Sequence, residues 1–158
     1  KKIFIFPIRE TDIFSDEKLN DLGALEEVLM VGYPFGLWDN KNNFPIFRKG
    51  ITASHPAYDF KGEKGIGLVD MPIFGGSSGS PVFIYNQNGY TNKKGTFNLN
   101  GRMIFLGTIN QEYSFPSEGE VKIEEIPTAR TITRIRANIG RYIKANEILK
   151  FKELIFKK

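Results

Sequence analysis

The sequence predicts an all-β fold, a small barrel followed by one C-terminal α-helix. Short apolar runs alternate with turns rich in Gly, Asn and Pro along most of the 158 residues, which is typical of small β-barrels. Helical spacing of apolar residues occurs only near the C-terminal end. We therefore expect a single domain with a core of its own, in which residues 26–144 form the barrel and residues 146–156 form the helix.

Eight strands are predicted, at residues 2–6, 27–33, 44–54, 66–71, 80–85, 102–110, 120–126 and 137–144. The segments between them are an acidic loop with one helical turn at 10–25, loops at 34–43, 58–64 and 111–119, and a hairpin excursion with Asn-Gly turns at 86–101. In the predicted terminal helix Asn146 is the N-cap. The apolar face of that helix is predicted to contain Ile148, Phe151, Leu154 and Ile155.

Composition and charge bear on the class of function. No apolar run approaches the ~18 residues of a membrane span, and neither metal-ligand spacing nor a phosphate-binding glycine loop is present. We therefore expect no membrane contact and no cofactor. The chain has no cysteine, which favours a reducing compartment such as the bacterial cytoplasm.

Two features raise the question of nucleic-acid binding. Residues 129–158 contain nine Lys and Arg against two Asp and Glu, and Tyr33, Trp38 and Phe44 flank a Gly- and Asn-rich loop. A basic segment beside aromatic side chains can bind nucleic acid. We interpret the basic segment as a solvated helix face and the aromatic residues as core and loop packing, so nucleic acid is not the expected partner.

A glycine- and serine-rich loop between two predicted strands is the strongest candidate for chemistry. It reads Gly75-Gly76-Ser77-Ser78-Gly79-Ser80-Pro81, and glycine allows backbone conformations that other residues avoid. A serine on such a loop can expose its hydroxyl beside clustered backbone N–H groups, so that one short segment supplies a nucleophile and an oxyanion hole. An ordinary turn before a strand is the alternative for the loop taken alone.

This loop resembles the nucleophile loop of the chymotrypsin/trypsin clan of serine peptidases, whose pattern is G-x-S-G-G/S-P. The resemblance implies that Ser78 is the catalytic nucleophile and that the backbone N–H groups of Gly76 and Ser78 form the oxyanion hole. Asp70 stands eight residues before Ser78, as an Asp does in the bacterial high-temperature-requirement branch of the clan. We interpret Asp70 as holding the loop, with the rim of the substrate pocket as the alternative.

Four further segments resemble members of the clan, in the same order along the chain. Residues 31–36 match the GxPxG segment of that bacterial branch, 49–54 its GIVSA strand, 105–110 the strand beside the substrate cleft, and 139–144 the last strand of trypsins. Together the matches extend over roughly residues 26–156. The resemblance implies an antiparallel Greek-key barrel, the second of the two barrels of this fold, in a hydrolase that acts on polypeptides.

The resemblance also implies where a substrate binds. Pro72 occupies the position that selects basic side chains in digestive trypsins, and Ile73 and Phe74 follow it. These three residues are therefore predicted to form an uncharged substrate pocket. Asn110 and Gln111 match the strand that pairs with an extended substrate by β-augmentation.

The loop also fits G-x-S-x-G, the nucleophile elbow of α/β-hydrolases, with Ser77 as the nucleophile. That fold needs a helix directly after the serine and a His later in the chain. Pro81 and a β-rich run follow instead, and no His lies beyond residue 55, so we discard this interpretation. In trypsins the position of Ser77 holds an Asp that pairs with a freed N-terminus, and that activation switch is absent here.

The catalytic machinery that the resemblance implies is incomplete in these 158 residues. A serine hydroxyl needs a general base and a group that orients the base, and in this clan both come from the first barrel. The single His, His55, lies on or just after the strand at 49–54 and is not expected to be that base. We expect the chain to be a fragment whose N-terminal barrel is missing or lies on a second chain.

Two functions are compatible with these observations. The first is the C-terminal barrel of a trypsin-like serine endopeptidase with a polypeptide substrate. The alternative is a catalytically inactive, peptidase-like barrel that binds peptides or proteins.

Overall fold

The strands form at apolar runs whose side chains alternate between greater and lesser burial, as the first of them illustrates. In β1 (Glu27–Gly32) the side chains of Val28 and Met30 are buried. Glu27, the first residue of the strand, is exposed. The computed structural model describes residues 7–121 and 129–155. Its further strands are β2 (Ile46–Thr52), β3 (Ile66–Asp70), β4 (Pro81–Asn86), β5 (Tyr90–Thr91), β6 (Phe97–Asn98), β7 (Arg102–Val121) and β8 (Ala129–Lys144).

Six of these strands close into a barrel in the order β1-β2-β3-β8-β7-β4, and β4 pairs again with β1. Every neighbouring pair is antiparallel. Strands β5 and β6 form a separate two-stranded hairpin. The all-β class and the barrel predicted from the sequence are therefore confirmed. None of the helices that the structure describes combines the length and the apolar composition needed to cross a membrane.

The core fills the inside of the barrel. Its largest fully buried side chains are Tyr142, Met30, Met71, Ile84 and Ile109. Leu19 and Leu22, which precede the first barrel strand, also belong to this core. Because burying one such side chain stabilises the fold by about 1.5–3 kcal/mol, the N-terminal segment contributes to the stability of the barrel from outside the predicted limits of 26–144.

Strands β7 and β8 are longer than predicted and form one extended hairpin. Ser114 to Val121 pair with Ala129 to Arg136 in a continuous antiparallel register, so the polar loop predicted at 111–119 is wrong. The hydrogen bonds between β7 and β8 stabilise a strand here, and the polar sequence of residues 111–119 alone does not predict it. The predicted strand at 2–6 lies outside the described residues, and so does most of the one at 120–126.

The helices are short. Residues 10–25 contain α1 (Asp16–Asn20), as predicted, whereas the predicted terminal helix is divided into α2 (Asn146–Leu149) and α3 (Phe151–Ile155). The N-cap prediction for Asn146 is wrong: Ala145 holds that position, and the side-chain amide of Asn146 instead donates to Asp16 Oδ1 at 2.8 Å.

Apolar side chains are exposed at two places where packing was expected. The helix residues Ile148, Phe151, Leu154 and Ile155 are all exposed. Tyr33, Trp38 and Phe44 are also exposed, by 50%, 47% and 60%, so the prediction that these three pack into the core or its loops is wrong. Large exposed apolar groups in one segment are typical of a contact surface.

Candidate active site

The serine loop lies at one end of the barrel, between the end of β3 and the start of β4. Two turns give it its shape, because the N–H of Ser77 donates to the Phe74 carbonyl and the N–H of Ser80 donates to the Ser77 carbonyl, at 3.0 and 3.1 Å. The loop is also bonded to β7: the N–H of Gly79 donates to the carbonyl of Ile109 at 2.8 Å, and the N–H of Ile109 donates to the carbonyl of Ser80 at 2.9 Å. The loop is therefore attached to β7 directly after Ser78.

The two adjacent serines face opposite environments. Ser77 is fully buried, and its Oγ accepts a hydrogen bond from the N–H of Phe74 at 3.4 Å. Ser78 is exposed, and its hydroxyl donates to the backbone carbonyl of Asn110 at 3.1 Å. Of the two serines, only Ser78 presents its hydroxyl to solvent. A strand, β4, follows the loop, so the geometry also disfavours an α/β-hydrolase elbow at Ser77.

The peptide between Gly75 and Gly76 has a defined orientation. The Gly75 carbonyl accepts a hydrogen bond from the N–H of Phe35 at 2.6 Å. In a trans peptide the C=O and the following N–H point in opposite directions, so the Gly76 N–H points away from the turn Pro34–Gly36. Within the described residues, no acceptor is bonded to the N–H of Gly76 or of Ser78.

Gly76 must be a glycine for two reasons. Its φ is +87°, in the left-handed region, and a Cβ added there would lie 2.8 Å from the Tyr33 carbonyl oxygen and 3.2 Å from the Phe35 nitrogen. Backbone atoms cannot move aside as a flexible side chain does. Gly75, by contrast, has open space around the position of a Cβ.

An aromatic stack supports the loop from the outside. The rings of Phe35 and Phe74 stack with their centroids 4.9 Å apart, and the Arg48 guanidinium lies 4.8 Å from the Phe74 centroid. Phe35 itself has a φ of +55°, which is unusual for a residue with a side chain. The stack and the bond from Phe35 to Gly75 thus hold the turn and the loop together.

The residues predicted to bind substrate occupy three kinds of position. Pro72 and Phe74 are half-buried at the loop, where part of each remains open to solvent. Ile73 is 2% exposed and belongs to the core, so it offers no surface to a substrate as it lies. Asn110 and Gln111 are exposed on β7.

Asn110 has a particular place in the sheet. A register shift between Ile109 and Gln111 leaves Asn110 without a partner on β8, and such bulges redirect backbone groups beside functional sites. The result is that the Asn110 carbonyl is turned toward Ser78. Asp70, the last residue of β3, is exposed near the base of the loop and pairs with Ile51 and Ile139 across the sheet.

His55 lies at the other end of the barrel. It follows β2 beside the start of β3, whereas the Ser78 loop follows the end of β3. Its Nδ1 accepts from the N–H of Ala57 at 3.2 Å, and its ring is 4.8 Å from that of Tyr58. Burial, reinforced by the charges of Lys93 and Lys144, lowers the pKa of His55. Within the described residues no hydrogen bond joins any His to Ser78.

Two of these features were missed by sequence reasoning. The Phe35 N–H that fixes the Gly75 carbonyl belongs to a turn distant from Gly75 in the sequence. Almost every residue has a backbone N–H, so the residue type at position 35 does not predict this bond. The bulge at Asn110 is likewise set by the pairing of β7 with β8. The only available signal was the Pro34–Gly36 turn, which the sequence marks as a loop.

Comparisons of the chain with protein-family models, with curated proteins and with solved structures find no match. The functional interpretation therefore rests on the residues and on their geometry.

Proposed function

We propose that this chain is the nucleophile-bearing barrel of a trypsin-like serine endopeptidase. Ser78 is the nucleophile, and the N–H groups of Gly76 and Ser78 form the oxyanion hole. The proposal includes a Greek-key barrel topology, and the strand order β1-β2-β3-β8-β7-β4 supports it. The cysteine-free composition supports a reducing compartment.

The observation that carries the proposal is the pairing of an exposed hydroxyl with unbonded amides on one loop. The Ser78 hydroxyl is accessible, and the N–H groups of Gly76 and Ser78 lack acceptors within the described residues. Unbonded N–H groups beside a nucleophile are what a developing oxyanion requires. A plain turn needs neither feature.

In the proposed reaction the Ser78 Oγ attacks the carbonyl carbon of a peptide bond while its proton passes to a general base. The carbonyl oxygen becomes an oxyanion that accepts from both N–H groups, and the base then gives the proton to the leaving amine. The base and its orienting acid are supplied by residues other than His55. The Ser78 hydroxyl must leave the Asn110 carbonyl before that base can accept its proton.

The proposal also covers substrate binding. An extended peptide adds to the exposed part of β7 at Asn110 and Gln111, where the bulge leaves Asn110 unpaired with β8. Pro72 and Phe74 carry no negative charge, and the Arg48 guanidinium lies 4.8 Å from the Phe74 centroid, so a basic side chain before the cleaved bond is disfavoured. Ile73 would contact substrate only after a rearrangement of the loop.

The test is covalent labelling by a fluorophosphonate, which reacts with an activated serine. Two proteins are compared: the 158-residue chain and the product of the complete reading frame that encodes it. We expect strong labelling of the complete product and little of the chain alone, because the one His of the chain lies at the other end of the barrel from Ser78. Ser78→Ala should abolish the labelling, and Ser77→Ala is the control for the neighbouring buried hydroxyl. Labelling that persists in Ser78→Ala, or a complete product that never labels, would contradict the proposal.

A second candidate is an inactive, peptidase-like barrel that binds peptides. The bond from the Ser78 hydroxyl to the Asn110 carbonyl favours it, because this bond directs the proton toward a carbonyl instead of a base. Such a module would bind peptides along β7 without cleaving them. A complete product that binds peptides, ignores the fluorophosphonate and contains no other His near Ser78 would support the second candidate over the first.

A further inference from the structure

A second cavity lies away from the Ser78 loop, between the N-terminal segment and the β5–β6 hairpin. Its volume is about 430 Å³, within the range of small-molecule sites. Lys93 bridges its two sides, because its Nζ donates to the carbonyl of Asn20 at 3.1 Å. The cavity is therefore formed before any ligand arrives.

Its surfaces combine aromatic and aliphatic groups. Phe14 and Tyr90 are half-buried in its lining, and Leu22 and Ile104 are almost fully buried beneath them. The Arg102 guanidinium lies 3.8 Å from the Tyr90 centroid and fixes that ring. A flat apolar body can contact these surfaces with little loss of side-chain freedom.

The charge of the lining is positive. Lys18, Lys93 and Lys94 face one acidic residue, Asp21. The Arg102 guanidinium is a fourth cation in the lining, but its ion pair with Glu26 neutralises it. The excess of three lysines over one aspartate leaves the cavity attractive to anions.

Several donors in the cavity are unused. Among the described residues, the Nζ atoms of Lys18 and Lys94 have no hydrogen-bond acceptor, and Lys18 Nζ lies 5.5 Å from the Phe14 centroid. Asn92 accepts the N–H groups of Lys94 and Thr96 with its side-chain oxygen, so its side-chain NH₂ group points elsewhere and can donate to a ligand. Charged donors bind carboxylates and phosphates most strongly.

We infer that this cavity binds a small organic anion, one carboxylate or phosphate group on a flat apolar body. The anionic group contacts Lys18 and Lys94, and the flat body lies against Phe14 and Tyr90. The ligand must have both parts, because the lining combines positive charge with apolar surface. The inference goes beyond the proposed peptidase activity and does not depend on it.

The test is calorimetric titration of the 158-residue chain with matched probes. Adenosine monophosphate and indole acetate combine a flat body with a phosphate or a carboxylate, whereas adenosine and inorganic phosphate each lack one part. We expect at least one of the first two to bind, and more tightly than adenosine and phosphate. Which of the two binds distinguishes phosphate from carboxylate ligands. If neither binds, or if adenosine or phosphate binds equally well, the inference is wrong.

Charge-reversal variants locate the binding. Lys18→Glu and Lys94→Glu should each raise the Kd about tenfold, because each removes a charged donor. Lys41→Glu, on an exposed loop outside the cavity lining, makes the same change in net charge and should raise it less than about twofold, because salt screens distant charges. Circular dichroism checks that each variant is folded. Equal weakening by Lys41→Glu, or no weakening by either cavity variant, would show that the cavity is not the binding site.

Discussion

At the scale of single residues, the candidate site depends on Gly76. Its left-handed φ and its approach to the Tyr33 carbonyl leave no room for a side chain. The orientation of its N–H depends in turn on the bond from Phe35 to the Gly75 carbonyl. A single substitution at residue 76 therefore disturbs both the backbone conformation and the proposed oxyanion hole.

We predict that Gly76→Ala destabilises the chain by about 1–3 kcal/mol, the usual cost of an unfavourable backbone conformation. Gly75→Ala is the matched control, because nothing lies near its added Cβ, and it should change the stability by less than about 0.5 kcal/mol. Urea unfolding of the two variants measures the difference. The proposed peptidase function further predicts that Gly76→Ala lowers the rate of peptide cleavage by the complete product by about 10²–10³-fold. Equal stabilities for the two variants would show that the loop is not constrained at residue 76.

His55 makes stability depend on pH. Its pKa is lowered from the ordinary value of 6.5, mainly by burial, so the unfolded chain binds a proton more readily than the folded one. The corresponding stability is fully present above about pH 6.5 and is lost as the pH falls through the lower pKa of the folded state. We predict that His55→Gln flattens the decline in stability between pH 7 and pH 5, as measured by urea unfolding across this range. If His55→Gln loses stability between pH 7 and pH 5 as steeply as the unmodified chain, His55 is not the group responsible.

At the scale of elements, β8 places one hydroxyl group in the core at a cost in stability. Tyr142 is fully buried, and its hydroxyl has no hydrogen-bond partner within the described structure. Burial also raises the pKa of its phenol. A buried, unsatisfied polar group destabilises a fold, whereas the ring itself fills the barrel against Gly67.

We predict that Tyr142→Phe stabilises the chain by about 1 kcal/mol, since it removes the unsatisfied hydroxyl and keeps the ring. Tyr85→Phe, at a half-buried position on β4, is the control and should have a smaller effect. Thermal unfolding compares both with the unmodified chain. Destabilisation by Tyr142→Phe would reveal a hydrogen bond to this hydroxyl in solution.

At the scale of the whole molecule, the segment 33–47 presents a surface that a lone barrel leaves uncovered. Its exposed large apolar side chains are Tyr33, Phe35, Leu37, Trp38, Phe44 and Phe47. They lie in β2 and in the loop before it, next to the Ser78 loop through the contacts of Phe35. Such a surface suits contact with the other, N-terminal barrel of the proposed peptidase.

We predict that the 158-residue chain self-associates through this surface. Leu37→Ser and Phe44→Ser together should shift it toward the monomer, because the two side chains are each 60% exposed and contribute apolar area to the contact. Leu99→Ser, at a residue 83% exposed outside the segment, is the control and should leave the association unchanged. Sedimentation equilibrium provides the measurement. A monomeric parent chain would argue against a docking surface here.

Local sequence patterns predict the class of fold and the position of the Ser78 loop. Short apolar runs and the Gly-rich turns that bound them predict the barrel strands near residues 27–33, 66–71 and 80–85, because both are local patterns. The chemistry of Ser78 also follows from a local motif. Its proposed role as nucleophile remains a prediction.

Features that depend on distant partners could be read only from the three-dimensional arrangement of the strands and loops. The extension of β7 through residues 111–119 comes from pairing with β8. Exposure of Trp38 and burial of Ile73 likewise depend on what packs nearby. Local patterns report what a segment can form, whereas its neighbours in space determine which hydrogen bonds and contacts it makes.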